Sequence, residues 1–130
     1  MKYLFDVNVL LALAHQDHTE HRKVSLWYRT ARSNATEFQT CSITELGFVR
    51  ISVQAGLSDT VASAQETLAA LKESSQVAIA LVPDPLGAAT MPTHVRTPSQ
   101  LTDGHLVELA RLHGSKLVTL DKGIPGALLI

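Results

Sequence analysis

The sequence predicts an α/β protein, a three-layer α/β/α sandwich on a mostly parallel central sheet. Three observations carry that prediction. Short apolar runs at Tyr3–Phe5, Phe38–Cys41, Val77–Val82 and Lys116–Leu120 have the length and composition of strands. Between them lie stretches with apolar residues at helical spacing, long enough for helices of roughly 10–16 residues; strands joined this way pair in parallel and are covered on both faces. The composition, 45% hydrophobic and 18% charged, is that of a globular chain and excludes wholesale disorder.

The elements follow in order. Tyr3-Leu4-Phe5 is a first strand ending at Asp6, and Asn8 caps a helix carrying Val9, Leu10, Leu11 and Leu13. His18 to about Ser33 is a polar helix with Val24, Trp27 and Tyr28 on one stripe. Phe38–Cys41 is a second strand. Ser42-Ile43-Thr44-Glu45 fits a capping box for a third helix, which Gly56 ends. Ser58 caps a fourth, striped by Val61, Ala64, Leu68 and Leu71. Val77–Val82 is a continuous apolar run that stops at Pro83, the pattern of a strand buried on both faces. Pro83 to Thr97 reads as loop. Thr97, Pro98 and Gln100 then start a helix that Gly114 ends. Lys116–Leu120 is the next strand, ending at Asp121, and Ala127–Ile130 a last short one.

A chain of 130 residues makes one domain, residues 1–130, able to bury about two thirds of its unfolded surface. Eleven basic against twelve acidic residues give a formal charge of −1, so any polyanion must be met by a local patch. The single Cys41 forms no internal disulfide, and no apolar run approaches the roughly 20 residues of a bilayer span. Lys2 and the run Val9–Ala14 imitate a signal peptide, but Asp6 and Asn8 interrupt it, and the segment reads as mature structure. A cytoplasmic protein with no membrane contact is expected.

The chemistry lies in four acids. Open α/β sheets place their sites beyond the carboxyl ends of the strands. Asp6 and Asp121 each follow a strand directly, while Glu45 and Asp103 stand early in helices. Four carboxylates gathered at one edge repel one another, and a hard divalent cation removes the penalty. Mg²⁺ or Mn²⁺ there suits phosphodiester hydrolysis. Each acid also has a plain structural reading: Glu45 as a cap, Asp103 as a favourable charge in a first helical turn, Asp121 as a turn residue before Gly123. Asp6, set between Phe5 and an apolar run, is the hardest to explain that way.

Phe5-Asp6-Val7-Asn8-Val9-Leu10-Leu11-Ala12-Leu13 resembles the opening motif of PIN-domain ribonucleases. Thr44-Glu45-Leu46-Gly47-Phe48-Val49-Arg50, Leu101-Thr102-Asp103-Gly104-His105-Leu106 and Val118-Thr119-Leu120-Asp121-Lys122-Gly123-Ile124 resemble their second, third and fourth motifs. The four stand in order across almost the whole chain, most like the VapC-type toxins of bacterial toxin–antitoxin pairs. The resemblance implies a PIN-like α/β/α sandwich that cleaves RNA with Mg²⁺ or Mn²⁺, forms a homodimer and is silenced by an antitoxin. It makes Asp6, Glu45, Asp103 and Asp121 catalytic metal-site acids, with Asn8 and Thr119 orienting them. Gly104 departs from the alanine usual beside the third acid.

Other features are weaker. His18 and His21 have a zinc-like spacing that nothing completes, so solvated or capping roles are expected for this histidine group, which includes His15. His105 is expected on a helix surface. Arg22, Lys23, Arg29 and Arg32 form a locally basic helix, either a solvated face paired with Asp17 and Glu20 or a contact for RNA backbone. If four acids serve metal, eleven bases face eight remaining acids, a surplus of three. Cys41 reads as a small buried hydrophobe. Two rivals share the fold class: a catalytically silent PIN domain binding RNA or protein, and a phospho-acceptor switch with Asp84 as acceptor and Lys122 beside it.

Overall fold

A computed structural model describes residues 1–130. Five strands, β1 (Lys2–Phe5), β2 (Glu37–Thr40), β3 (Ile79–Leu81), β4 (Lys116–Thr119) and β5 (Leu128–Leu129), form one sheet in the order β3-β2-β1-β4-β5. Every neighbouring pair is parallel. The helices are α1 (Val7–Ala14), α2 (His21–Ala31), α3 (Ser42–Gln54), α4 (Val61–Ser74) and α5 (Leu101–Leu112), the last entered through a short 3₁₀ turn at Pro98–Gln100. The sheet grows outward from β1 in both directions, so the strand order reverses beside β1, where such sheets open a crevice.

Strand alternation divides the core in two. Phe5 points to the side covered by α1 to α4 and packs with Val9, Leu10, Val24, Phe38, Phe48 and Leu68. Leu4 points to the other side and packs with Leu106, Leu109, Ala110 and Leu117, under α5. Phe38 is fully buried at the centre of the first cluster, its ring 4.8 Å from Tyr28 and 5.1 Å from Phe5. Rings at these spacings add to the area they bury.

The expected helix starts shift. Asp6, not Asn8, caps α1, its side chain accepting from Val7 N at 2.7 Å. Asn8 lies inside the first turn and is free to bond elsewhere. Cys41 caps α3, and its backbone N–H donates to Thr44 Oγ1 at 3.0 Å. The box stands one residue earlier than Ser42–Glu45 suggests, and this releases the Glu45 carboxylate from capping. Thr60 with Ser63, rather than Ser58, starts α4. The Thr97–Gln100 box forms as expected, with Gln100 Oε1 accepting from Thr97 N at 3.2 Å.

The Val77–Val82 run yields only Ile79–Leu81 as strand, and β3 is an edge with β2 as its sole neighbour. Leu81 stays 56% exposed. The run is apolar because Val77 and Ile79 meet one core and Val82 the other. No strand lies beyond β3, so its outer edge stays open.

Replacing Phe38 with alanine should destabilise the fold by about 3–5 kcal/mol, since the ring is fully enclosed. Urea unfolding measures this, and a loss under about 2 kcal/mol would show that the aromatic cluster can close over the gap.

Candidate active site at the carboxyl edge of the sheet

Asp6 leaves the carboxyl end of β1 and is 7% exposed. Its backbone N–H stays in register with β4, donating to Val118 O at 3.0 Å. One carboxylate oxygen caps α1; the other accepts the Thr119 hydroxyl at 2.7 Å. Thr119 Oγ1 accepts in turn from Asn8 Nδ2 at 3.2 Å and from Asp121 N at 3.0 Å. Asn8 Oδ1 accepts from Leu120 N at 3.1 Å, closing a network that ties the first turn of α1 to the end of β4.

Burial pushes the Asp6 carboxyl up from its ordinary value. The Thr119 and Val7 hydrogen bonds oppose that rise, and the Asp121 charge adds to it. Asp103, in the first turn of α5, is also pushed up, by burial first and then by the charges of Asp6 and Asp121. These three acids therefore share one electrostatic neighbourhood. Asp121 is exposed and shapes its own turn, Oδ1 accepting from Gly123 N at 2.9 Å.

Glu45 stands apart. It lies in the first turn of α3, beyond the end of β2, but its Oε2 accepts the Thr40 hydroxyl and contacts Lys72 Nζ at 2.5 Å. Asp6, Asp103 and Asp121 thus act on one another's charge, and Glu45 has a cation partner of its own. Nothing in the sequence of α4 singled out Lys72; only the packing of α4 on α3 delivers it.

No three histidine, cysteine or acidic side chains converge closely enough to enclose a metal ion. The donor chemistry nonetheless fits a hard cation. Asp6, Asp103 and Asp121 offer carboxylate oxygen alone, and the first two bear a net cost of burial and repulsion.

Gly104, next to Asp103, has a steric role. A Cβ there would lie 2.3 Å from Val95 Cγ2, so the missing side chain lets the loop before α5 rest on the helix beside the acid. His105 is buried rather than on a helix surface, and its Nε2 pairs with Asp84 Oδ2 at 2.5 Å. That pairing occupies the carboxylate a phospho-acceptor would need.

The remaining histidines of the group and Cys41 have structural partners, while the basic side chains of α2 have no acidic partner. His15 is buried, not solvated: its ring stacks on Phe48 at 5.3 Å and Nε2 bonds Ser52 Oγ at 2.9 Å. His18 Nδ1 accepts from Glu20 N, and His21 Nδ1 bonds Ala12 O at 2.7 Å. The spacing of these histidines therefore brings no metal set together. Cys41 is free and buried. Arg22, Lys23 and Arg29 are exposed, Arg32 sits 6.0 Å over the Tyr28 ring, and none pairs with Asp17 or Glu20. Through His21 and Ala12, α2 docks on the far end of α1 from Asp6, so these four are not brought to the acidic trio.

The PIN domain family model matches residues 3–126. The chain belongs to the PIN-domain family. It is 36% identical over 125 residues to Ribonuclease VapC38 of Mycobacterium tuberculosis, covering 93% of this chain and 86% of that protein. With Ribonuclease VapC39 of the same organism it shares 37% identity over 131 residues, covering 95% and 91%. Among solved structures, VapBC2 from Rickettsia felis, bound to a DNA fragment from its promoter, superposes with a TM-score of 0.55 at 13% identity. That match spans 100% of this chain and 98% of the other, and it shows the fold alone. The chain is thus a VapC-type PIN domain.

The raised acids set the sign of a pH effect. A carboxyl whose folded pKa lies above its unfolded value stabilises the fold fully below the unfolded pKa, and that contribution fades as pH rises through the folded one. Metal-free PIN domain should therefore lose stability from about pH 4 upward on account of Asp6 and Asp103. Asp103→Asn should raise the metal-free Tm at pH 7 by roughly 2–4 °C and do little at pH 3.5. Melts at both values test it; equal destabilisation at the two would contradict the repulsion.

Proposed function

We propose that this PIN domain is a divalent-metal-dependent endoribonuclease acting as the toxin of a toxin–antitoxin pair. The observation that carries the reading is the buried, hydrogen-bonded Asp6, whose charge acts on Asp103 together with that of Asp121, in a chain that resembles curated VapC ribonucleases over most of its length. In this reading residues 1–130 act as one domain. Asp6, Asp103 and Asp121 would hold Mg²⁺ or Mn²⁺, with Glu45 at their margin. Such an ion, when bound, supplies Lewis acidity toward phosphate and lowers the pKa of a coordinated water.

The chain's own residues prepare that chemistry. Thr119 and the Val7 N–H hold both oxygens of Asp6 and favour its ionised form. Asn8 fixes Thr119 and anchors the backbone at Leu120. Loop residues Met91, Pro92 and Val95 rest on Gly104, the neighbour of Asp103 in α5. An RNA long enough to reach α2 would meet Arg22, Lys23 and Arg29 with no acid to displace, Arg32 standing nearby.

The reading includes an antitoxin, a second copy in a homodimer and a cytoplasmic place of action, where the RNA is. Exposed Leu46 on α3, and Leu26 and Leu129 elsewhere on the surface, are apolar side chains that protein partners would cover. No helix is long and apolar enough to cross a membrane. No observation favours the catalytically silent alternative, in which four acids at the motif positions would have no purpose.

Asp6→Asn should abolish RNA cleavage while keeping the circular dichroism spectrum and a cooperative melt. Induced expression of both forms in bacteria, with growth and total RNA followed together, tests this. Growth arrest with discrete fragments only from the wild type supports the reading, and equal cleavage by the variant sinks it. Thr119→Val, which keeps shape and removes the hydroxyl, should lower the cleavage rate roughly 10–100-fold.

A further inference from the structure

The acids at the carboxyl edge have an apolar neighbour. A cavity of about 250 Å³ lies between the start of α3, the loop after β3 and the start of α5. Its walls are Ile43, Leu86, Met91 and Leu101, and Thr102 and His105 bring polar side chains to it. Thr102 precedes Asp103 directly, so their Cα atoms stand about 3.8 Å apart and the cavity borders the acid. Ile43 precedes Glu45 by two residues. Ile43 and Leu101 are 36% and 44% exposed, apolar area that an occupant would cover. His105 is held in place, its Nε2 paired with Asp84.

We propose that this cavity is a nucleobase subsite. It takes one unpaired base beside the phosphodiester to be cleaved, and so sets where an RNA is cut. The inference rests on the ribonuclease reading above and adds which part of the substrate the protein grips next to the acids. An RNA strand is charged at every phosphate, and the acids repel those phosphates until a cation lies between them. The bases are uncharged. Once unstacked, a base is held between apolar side chains and read by a few hydrogen bonds at its edge. Aliphatic walls with one hydroxyl and one imidazole suit that role.

The position of the cut, rather than activity alone, tests the subsite. The full chain is incubated with Mn²⁺ and a pool of single-stranded oligoribonucleotides randomised across their middle, and the cut ends are sequenced. The wild type should prefer one base at one position flanking the cut. In a substrate of single sequence, an abasic residue at that position should lower kcat/KM about 5- to 30-fold, the lower part of the range for a stacked base because the walls are aliphatic. Ala88→Leu narrows the cavity and Leu101→Ala widens it. Each should change the base preference about threefold or more, while the rate on the abasic substrate stays within about twofold of wild type. Melts show that both variants are folded.

Wild-type cleavage with no base preference beside the cut, or undiminished cleavage of the abasic substrate, overturns the subsite and leaves the ribonuclease reading standing. A preference that neither variant moves also overturns it, and is the result expected if a protein partner fills the cavity instead. Equal losses on the intact and abasic substrates in both variants assign the cavity a structural role and overturn the proposal as well. Failure of the folded wild type to cut any RNA in the pool overturns the ribonuclease reading and this inference together.

Discussion

The constraint on which the rest of the structure depends is the burial of a carboxylate at the end of the central strand. Asp6 must be desolvated, because β1 is flanked by β2 and β4 and α1 starts immediately after it. A lone buried charge costs several kcal/mol unless polar partners replace water. Here those partners are the first N–H of α1 and the hydroxyl that ends β4. The helix start, the strand order and the acid are therefore one arrangement. Moving β4 away from β1 would remove both Thr119 and the repulsion that links Asp6 to Asp121.

Charge at this edge is unevenly relieved. Asp6 has two hydrogen-bond donors and is still pushed toward protonation; Asp103 has burial and two anionic neighbours with nothing opposing them. Glu45 alone has a full cation. The unrelieved charge thus collects where β1 and β4 meet α5. Unrelieved acidic charge of this kind attracts a cation, which a fully paired acidic cluster would not.

Much of this was legible in the sequence for a physical reason. Strand and helix periodicities are local, so the succession of elements and the parallel sheet follow from the chain itself. Asp6 and Asp121 stood out because each follows an apolar strand directly, and strand ends in such sheets share an edge. Side-chain partners across the fold were less legible. The polar pattern Ser42–Glu45 offered a cap as the plain reading of Glu45 beside its metal-site reading, whereas Cys41 and Thr44 form the box and Glu45 pairs with Lys72, 27 residues away. His105 looked like a surface residue because its partner Asp84 lies in a loop 21 residues earlier. The run Val77–Val82 looked central because apolar content reports burial on each face, while edge position depends on what lies beyond, which for β3 is nothing.

Thr119 shows how hydrogen-bond valence fixes the site more tightly than distance does. A hydroxyl donates once and accepts twice. Thr119 Oγ1 lies within bonding distance of Asp6 Oδ2, Asn8 Nδ2 and the Asp121 N–H. The Asp121 N–H can only donate. Asn8 must also present its amide nitrogen, because its oxygen is taken by the Leu120 N–H. Both accepting positions of Thr119 are then filled, so its one hydrogen goes to Asp6. That oxygen of Asp6 must accept, which favours the ionised form against the pull of burial. Serine would preserve this count at the position, and valine or alanine would not. The polarity of the network is therefore dictated by two backbone N–H groups at the end of β4, and the strand next to the buried acid favours its ionised form against burial.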